Sequence, residues 1–151
     1  MSIELVPCHA DKNMFMLLAK EYIDTLKRYD DAIVWDEKSV EKWIWDSRFI
    51  VDGGVMCGFI VTQEVRFKNS PSLMYIAELY VEKEERLHGA GIGAVKAAVD
   101  GWDGEVFLYI LDHNKTAREF WNAVEEELGW ERTARADVRE EQGCELRVYK
   151  V

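Results

Sequence analysis

Cysteine is scarce in this chain of 151 residues: Cys8, Cys57 and Cys144 stand too far apart for a disulfide framework or a clustered metal site. No metal is expected, and lone thiols fit a reducing compartment. Long hydrophobic runs are missing as well. No apolar stretch approaches the ~20 residues that cross a bilayer. The opening Met1-Ser2-Ile3-Glu4-Leu5 is no secretory signal. A cytoplasmic protein without a membrane segment is expected. Positive charge is also short: 19 lysines and arginines against 29 aspartates and glutamates leave −10. That balance argues against nucleic acid as a partner and against adsorption to anionic lipid. It suits a cationic amine.

With 48% hydrophobic and 32% charged residues, the expectation is one globular domain over residues 1–151. A first strand is read over residues 3–8, with Pro7 marking an edge or an end. Asp11 can cap a helix from about Lys12, whose inward face repeats Phe15, Leu18, Tyr22 and Leu26, widened by Met14, Leu17 and Ile23. A shorter helix follows over residues 39–45. Residues 48–52 and 55–64 read as a hairpin around Gly53 and Gly54, and residues 72–81 as the next strand. Then come a helix over 92–101, a strand over 105–111, a helix ending near Leu128 before Gly129, and strands at 131–135 and 145–150. Alternating strands and helices in the middle imply some parallel pairing, while the hairpins imply antiparallel pairing. The expected class is α/β, a mixed and mostly antiparallel sheet flanked by helices.

The chain is organised around residues 73–94, where an apolar strand runs through charged residues into Gly89, Gly91 and Gly93 at the start of a helix. Unpaired amides and the positive dipole end of a helix favour a bound phosphate, and glycines permit close approach. A purely structural glycine turn is the alternative. No Gly-Lys-Ser/Thr ending is present, so a P-loop would lack its lysine and its metal-binding hydroxyl. Ala94 stands three residues after Gly91 where the dinucleotide fingerprint departs, and 151 residues leave no room for a second Rossmann half.

The stretch does resemble motif A of the GNAT superfamily of N-acetyltransferases, a Gln/Arg-x-x-Gly-x-Gly/Ala loop. His88-Gly89-Ala90-Gly91-Ile92-Gly93 stands where the family has Arg-Gly-Lys-Gly-Ile-Gly; Arg86-Leu87-His88-Gly89-Ala90-Gly91 satisfies the same short pattern two residues earlier. A second segment, Asn114 with Ala117, Phe120 and Trp121 and then Leu128-Gly129-Trp130, is similar to the family's motif B. The resemblance implies a GNAT-like, acyl-CoA N-acyltransferase fold with splayed parallel strands. It also implies that His88, Gly89, Ala90, Gly91, Ile92, Gly93 and Ala94 hold the pyrophosphate of acetyl-coenzyme A. Backbone amides of Leu79, Tyr80 and Val81 would polarise the thioester, Asn114 would contact the pantetheine, and Trp121 takes the position of the family's usual tyrosine.

Transfer to an amine needs a base for the departing proton and donors for the carbonyl oxygen. Glu78 is the candidate base, acting through water; strand parity sets it on one face with Ile76 and Tyr80. A solvent-facing glutamate, or one paired with a cation, is the alternative. Indole is no proton donor at neutral pH, so Trp121 is either cofactor packing or core, and solvent, Tyr80 or Tyr109 would supply the leaving-group proton. Asn114 is a ligand contact, a helix cap, or both. Tyr22, Tyr29, Trp35, Trp43 and Trp45 are candidate walls for an acceptor, and Asp30, Asp31, Asp36 and Glu37 could attract its ammonium, with core packing and ordinary surface as the alternatives. The expected partner is a small-molecule amine or an exposed protein amine, for a monomer or homodimer. A noncatalytic acyl-CoA-binding module and a transferase of longer acyl groups are the competing functions.

Overall fold

The computed structural model describes residues 3–83 and 89–151, so His88 and the alternative register of the glycine motif through Arg86 and Leu87 lie outside the described residues. Along the chain run β1 (Ile3–Pro7), α1 (Lys12–Leu26), α2 (Glu37–Glu41), β2 (Ser47–Asp52), β3 (Val55–Phe67), β4 (Ser70–Val81), α3 (Ala90–Ala98), β5 (Glu105–Leu111), α4 (Lys115–Leu128), β6 (Glu131–Thr133) and β7 (Cys144–Lys150). The strands form one mixed, mostly antiparallel sheet in the order β1-β2-β3-β4-β5-β7-β6. The chain divides into two compact units, residues 1–62 with 78–100 and residues 63–77 with 101–151. Among the described residues no helix is long and apolar enough to cross a membrane.

In the first unit β1, β2 and the start of β3 pair antiparallel, β1 from Ile3↔Asp52 to Pro7↔Arg48. Gly53 and Gly54 both take positive φ (56° and 85°), as a two-residue hairpin turn between twisted strands requires. Ile50 pairs with Gly58 but Val51 with Met56, so Cys57 is the extra residue of a β-bulge. Helix α1 buries Phe15, Leu18, Ala19, Tyr22 and Ile23. A buried phenylalanine such as Phe15 contributes roughly 1.5–3 kcal/mol relative to an exposed one. Leu17, expected on this face, is 62% exposed; at about 100° per residue it points nearly opposite Phe15, and Ala19 takes the inward place. Helix α2 starts at Glu37, two residues before the expected start, because Asp36 caps it by accepting from Ser39. Helix α3 packs on β1 and β2 through a small-residue face of Ala90, Ala94, Val95 and Ala98.

In the second unit β4 and β5 pair in parallel from Leu73↔Glu105 to Tyr75↔Phe107. Strand β7 inserts between β5 and β6 and is antiparallel to both. Leu73, Phe107, Val138 and Val148 form its core. Helix α4 stops at Gly129 as expected; the glycine takes the left-handed conformation and donates its N–H to the Glu125 carbonyl. Arg147, only 4% exposed, is satisfied by Glu125 at 2.6 Å, Glu145 at 2.7 Å and Asn122 at 2.9 Å. A buried guanidinium needs that many acceptors to offset its lost hydration.

Candidate active site

Helix α1 begins where Asp11 accepts the Met14 N–H at 3.1 Å, and the phase set there carries Glu21 and Tyr22 to β4. The two contacts run in opposite directions. The Tyr22 hydroxyl donates to Glu78 Oε2, and the Tyr80 hydroxyl donates to Glu21 Oε2 at 3.2 Å. Glu78 and Tyr80 share one face of β4, as their spacing of two requires. Around them the ring of Tyr22 stands edge-on to Phe59 (5.6 Å, 88°) and tilted against Tyr80 (5.7 Å, 48°). Phe15 closes the cluster on Phe59 at 5.4 Å.

Glu78 keeps partial solvent access as a residue, yet burial of its carboxyl pushes the pKa up to about 7, against the opposing pull of the Tyr22 hydrogen bond. Among the described residues no cation contributes to that shift. Among the described residues the carboxyl is therefore neither a fully solvated surface group nor half of an ion pair. Such a group exchanges a proton readily near neutrality. Cys8, by contrast, is raised to about 12 by burial and is no nucleophile.

The backbone behind Glu78 is tightly seated. A Cβ added to Gly58 would lie 1.8 Å from the Tyr80 carbonyl oxygen, so β3 meets the end of β4 with only a bare α-carbon between. The Cys57 carbonyl of the bulge accepts the Glu82 N–H at 2.7 Å. These contacts fix the strand segment carrying Leu79, Tyr80 and Val81.

The three glycines of the motif do three different jobs. Gly89 is the N-cap of α3 in left-handed conformation (φ 75°, ψ 12°), and among the described residues no side chain caps the helix there. Gly91 lies inside the first turn and is buried. Gly93 already donates its N–H to the Gly89 carbonyl at 3.0 Å, and its α-carbon faces Ile3, whose Cγ1 would be 2.6 Å from an added Cβ. The helix thus starts two residues before the expected Ile92, because Gly89 can take the positive φ that begins it. Its leading amides belong to Ala90, Gly91 and Ile92. Gly93 and Ala94, named with them from the sequence, serve helix bonding and packing, Ala94 being fully buried.

Asn114 and Trp121 belong to the second unit. The Asn114 side chain caps α4 by accepting the Ala117 N–H at 3.0 Å. Trp121 is buried, its ring edge-on to Phe120 at 5.0 Å. Both have structural occupations within that unit. Tyr109 donates to the Arg139 carbonyl at 2.6 Å, which commits its proton to a loop.

Of the aromatic residues proposed as acceptor walls, the structure brings Tyr22 into the Glu78 cluster. Trp45 is 75% exposed and stacks on His9 at 4.8 Å. Asp36 is occupied as the α2 cap, and the Ser39 hydrogen bonds hold its carboxyl below the usual range. Sequence reasoning missed Glu21 and Gly58. An isolated glycine inside a strand is a recognised sign of a bulge or close backbone approach, so Gly58 had a signal. Glu21 had none, since a glutamate on the polar side of a helix is commonplace.

Comparison with protein-family models finds no match, and comparison with curated proteins finds none either. Among solved structures the chain is similar to one chain of the NatC complex bound to Gag peptide and CoA, at 21% identity over 99% of this chain and 97% of that one, with a TM-score of 0.61. It is similar to an aminoglycoside acetyltransferase from an uncultured soil metagenomic sample in complex with sisomicin, at 15% identity over 93% and 96%, with a TM-score of 0.62. A GNAT-family acetyltransferase from Streptococcus agalactiae matches at 9% identity over 97% and 93%, with a TM-score of 0.69. At these identities the likeness is one of fold, and the fold is GNAT-like.

Proposed function

We propose that this GNAT-fold chain is an acetyl-CoA-dependent N-acetyltransferase acting on a primary amine, either of a small molecule or exposed on a protein. The observation that carries the reading is the Glu78 carboxyl, pinned by Tyr22 and poised near pH 7. It lies in the same unit as a helix terminus that, among the described residues, no side chain caps. Fold neighbours that take a peptide with CoA, or an aminoglycoside, support an amine acceptor of either kind.

The residues present fit the cofactor. Ala90, Gly91 and Ile92 offer backbone amides at the positive end of α3, which suits a diphosphate without requiring a lysine. Amides of Leu79, Tyr80 and Val81 are the proposed donors to the carbonyl oxygen. Acetyl-CoA supplies an acetyl group on a thioester, which a neutral amine nitrogen displaces from sulfur. Glu78 takes the proton the ammonium must lose, directly or through one water, and returns it to solvent; the departing sulfur collects its proton from solvent.

Two measurements test this. Titration calorimetry should show CoA binding, and Ile92→Glu should weaken it at least about tenfold while leaving the melting temperature within a few degrees. A carboxylate in the first helical turn favours the helix but opposes a diphosphate at the same terminus. Thiol release from acetyl-CoA across a panel of free-N-terminus peptides, aminoglycosides and simple amines should depend on acceptor. CoA uptake with no acceptor-dependent release from any of them would leave a noncatalytic binding module instead.

A further inference from the structure

We infer that Tyr22 is the positioning residue for Glu78, its phenol holding Oε2 so that Oε1 is the oxygen presented for proton transfer. The inference rests on Glu78 being the base of the proposed reaction. Its geometric ground is the reciprocal tie between α1 and β4. Consecutive residues on the helix, Glu21 and Tyr22, meet alternate residues on the strand, Glu78 and Tyr80, and each contact joins one phenol to one carboxyl. Neither carboxyl can rotate away without breaking a bond between the two elements.

The phenol is itself immobilised. Tyr22 is only 9% exposed and its ring is wedged between Phe59 and Tyr80, at 5.6 Å and 5.7 Å. A side chain held on two sides delivers its hydroxyl to one place, and that ordering cost is met during folding rather than at each turnover. Among the described residues of this unit, the Tyr22 hydroxyl from α1 meets Glu78, Tyr80 from β4 and Phe59 from β3 pack against the Tyr22 ring, and Glu21 from α1 is held by the Tyr80 hydroxyl.

The choice of a phenol has a chemical consequence. A lysine or arginine in its place would favour the carboxylate strongly and make it a poor base at neutral pH. No donor at all would leave burial unopposed and keep the carboxyl protonated. A neutral donor stabilises the carboxylate partway, which keeps both protonation states accessible.

The test uses Tyr22→Phe, which removes one hydroxyl and keeps the ring contacts, with Tyr80→Phe as the comparison. The protein carries 13C-labelled glutamate carboxyls, and the Glu78 resonance is assigned by its loss in Glu78→Gln. The Glu78 titration midpoint should rise by about one unit in Tyr22→Phe, the equivalent of one neutral hydrogen bond, and move less in Tyr80→Phe. With acetyl-CoA and the best amine of the panel, the acid limb of kcat/KM should rise by the same interval in Tyr22→Phe, with KM for acetyl-CoA unchanged. An unmoved midpoint in folded Tyr22→Phe overturns the inference, and so does an equal rise in both variants, which would mean general loosening. If Glu78→Gln leaves rate and pH profile unaltered, the base assignment fails instead, a result the resonance shift does not affect.

Discussion

At the scale of single residues, Glu78 makes activity and stability pull in opposite directions. Its folded pKa of about 7 stands above the unfolded value of 4.5, so between those two pH values the folded chain binds more protons than the unfolded one. Stability is then greatest below pH 4.5 with respect to this group and falls as pH rises through 7, by roughly 3–4 kcal/mol at most given 1.36 kcal/mol per unit. Glu78→Gln cannot ionise but can still accept from Tyr22. It should match the parent in urea midpoint at pH 4.5 and exceed it at pH 8, while acetyl transfer falls about a hundredfold. A midpoint difference that stays constant from pH 4.5 to 8 would mean that Glu78 does not titrate in this range. Such a trade between rate and stability is what a buried ionisable group at a site produces. The face of β4 on which Glu78 sits was legible from its spacing of two from Tyr80. Its state was not, because burial sets it and is a product of the whole fold, and the hydrogen bond that opposes burial comes from Tyr22, 56 residues away along the chain.

At the scale of elements, two glycines that look alike in sequence should respond differently to the same methyl group. At Gly58 an added Cβ meets main chain, 1.8 Å from the Tyr80 carbonyl oxygen and 2.9 Å from the Val81 α-carbon. Backbone of a paired strand cannot turn aside, so Gly58→Ala should cost about 3 kcal/mol and shift the segment that carries Glu78. At Gly93 the obstacle is Cγ1 of Ile3, a side chain with other rotamers. Gly93→Ala also gains up to about 1 kcal/mol of helix propensity. It should stay within about 1 kcal/mol of the parent by denaturant unfolding. Comparable losses in the two variants would show that β1 holds Ile3 as rigidly as a main chain. The motif glycines read as one ligand loop in the sequence because spacing alone does not say which of them needs positive φ and which needs a near neighbour. Helices α1 and α4, with their caps at Asp11 and at Asn114 and Gly129, were legible because capping is local. The insertion of β7 between β5 and β6 was not, since strand order depends on contacts between distant residues.

At the scale of the whole molecule, a charge of −10 acts on the two proposed reactants with opposite sign. A cationic acceptor is drawn in by the long-range field, whereas acetyl-CoA is a polyanion that the same field repels. Only local features favour the anion, above all the amides at the start of α3, and these act at contact distance where salt screens little. Raising ionic strength from about 0.01 M to 1 M shortens the screening length from about 30 Å to 3 Å. The kcat/KM for a dicationic amine should therefore fall several-fold through KM, while KM for acetyl-CoA should fall rather than rise over the same range. Varying each reactant in turn at fixed pH separates the two slopes. If both constants rise together with salt, an ion-dependent change in the enzyme outweighs the field. If acceptor kinetics stay flat for cations and neutral amines alike, the acidic composition serves solubility and not recognition. Composition alone made the sign of the field legible; whether it reaches the Glu78 cluster depends on how carboxylates such as Glu21 are disposed around it, which folding decides.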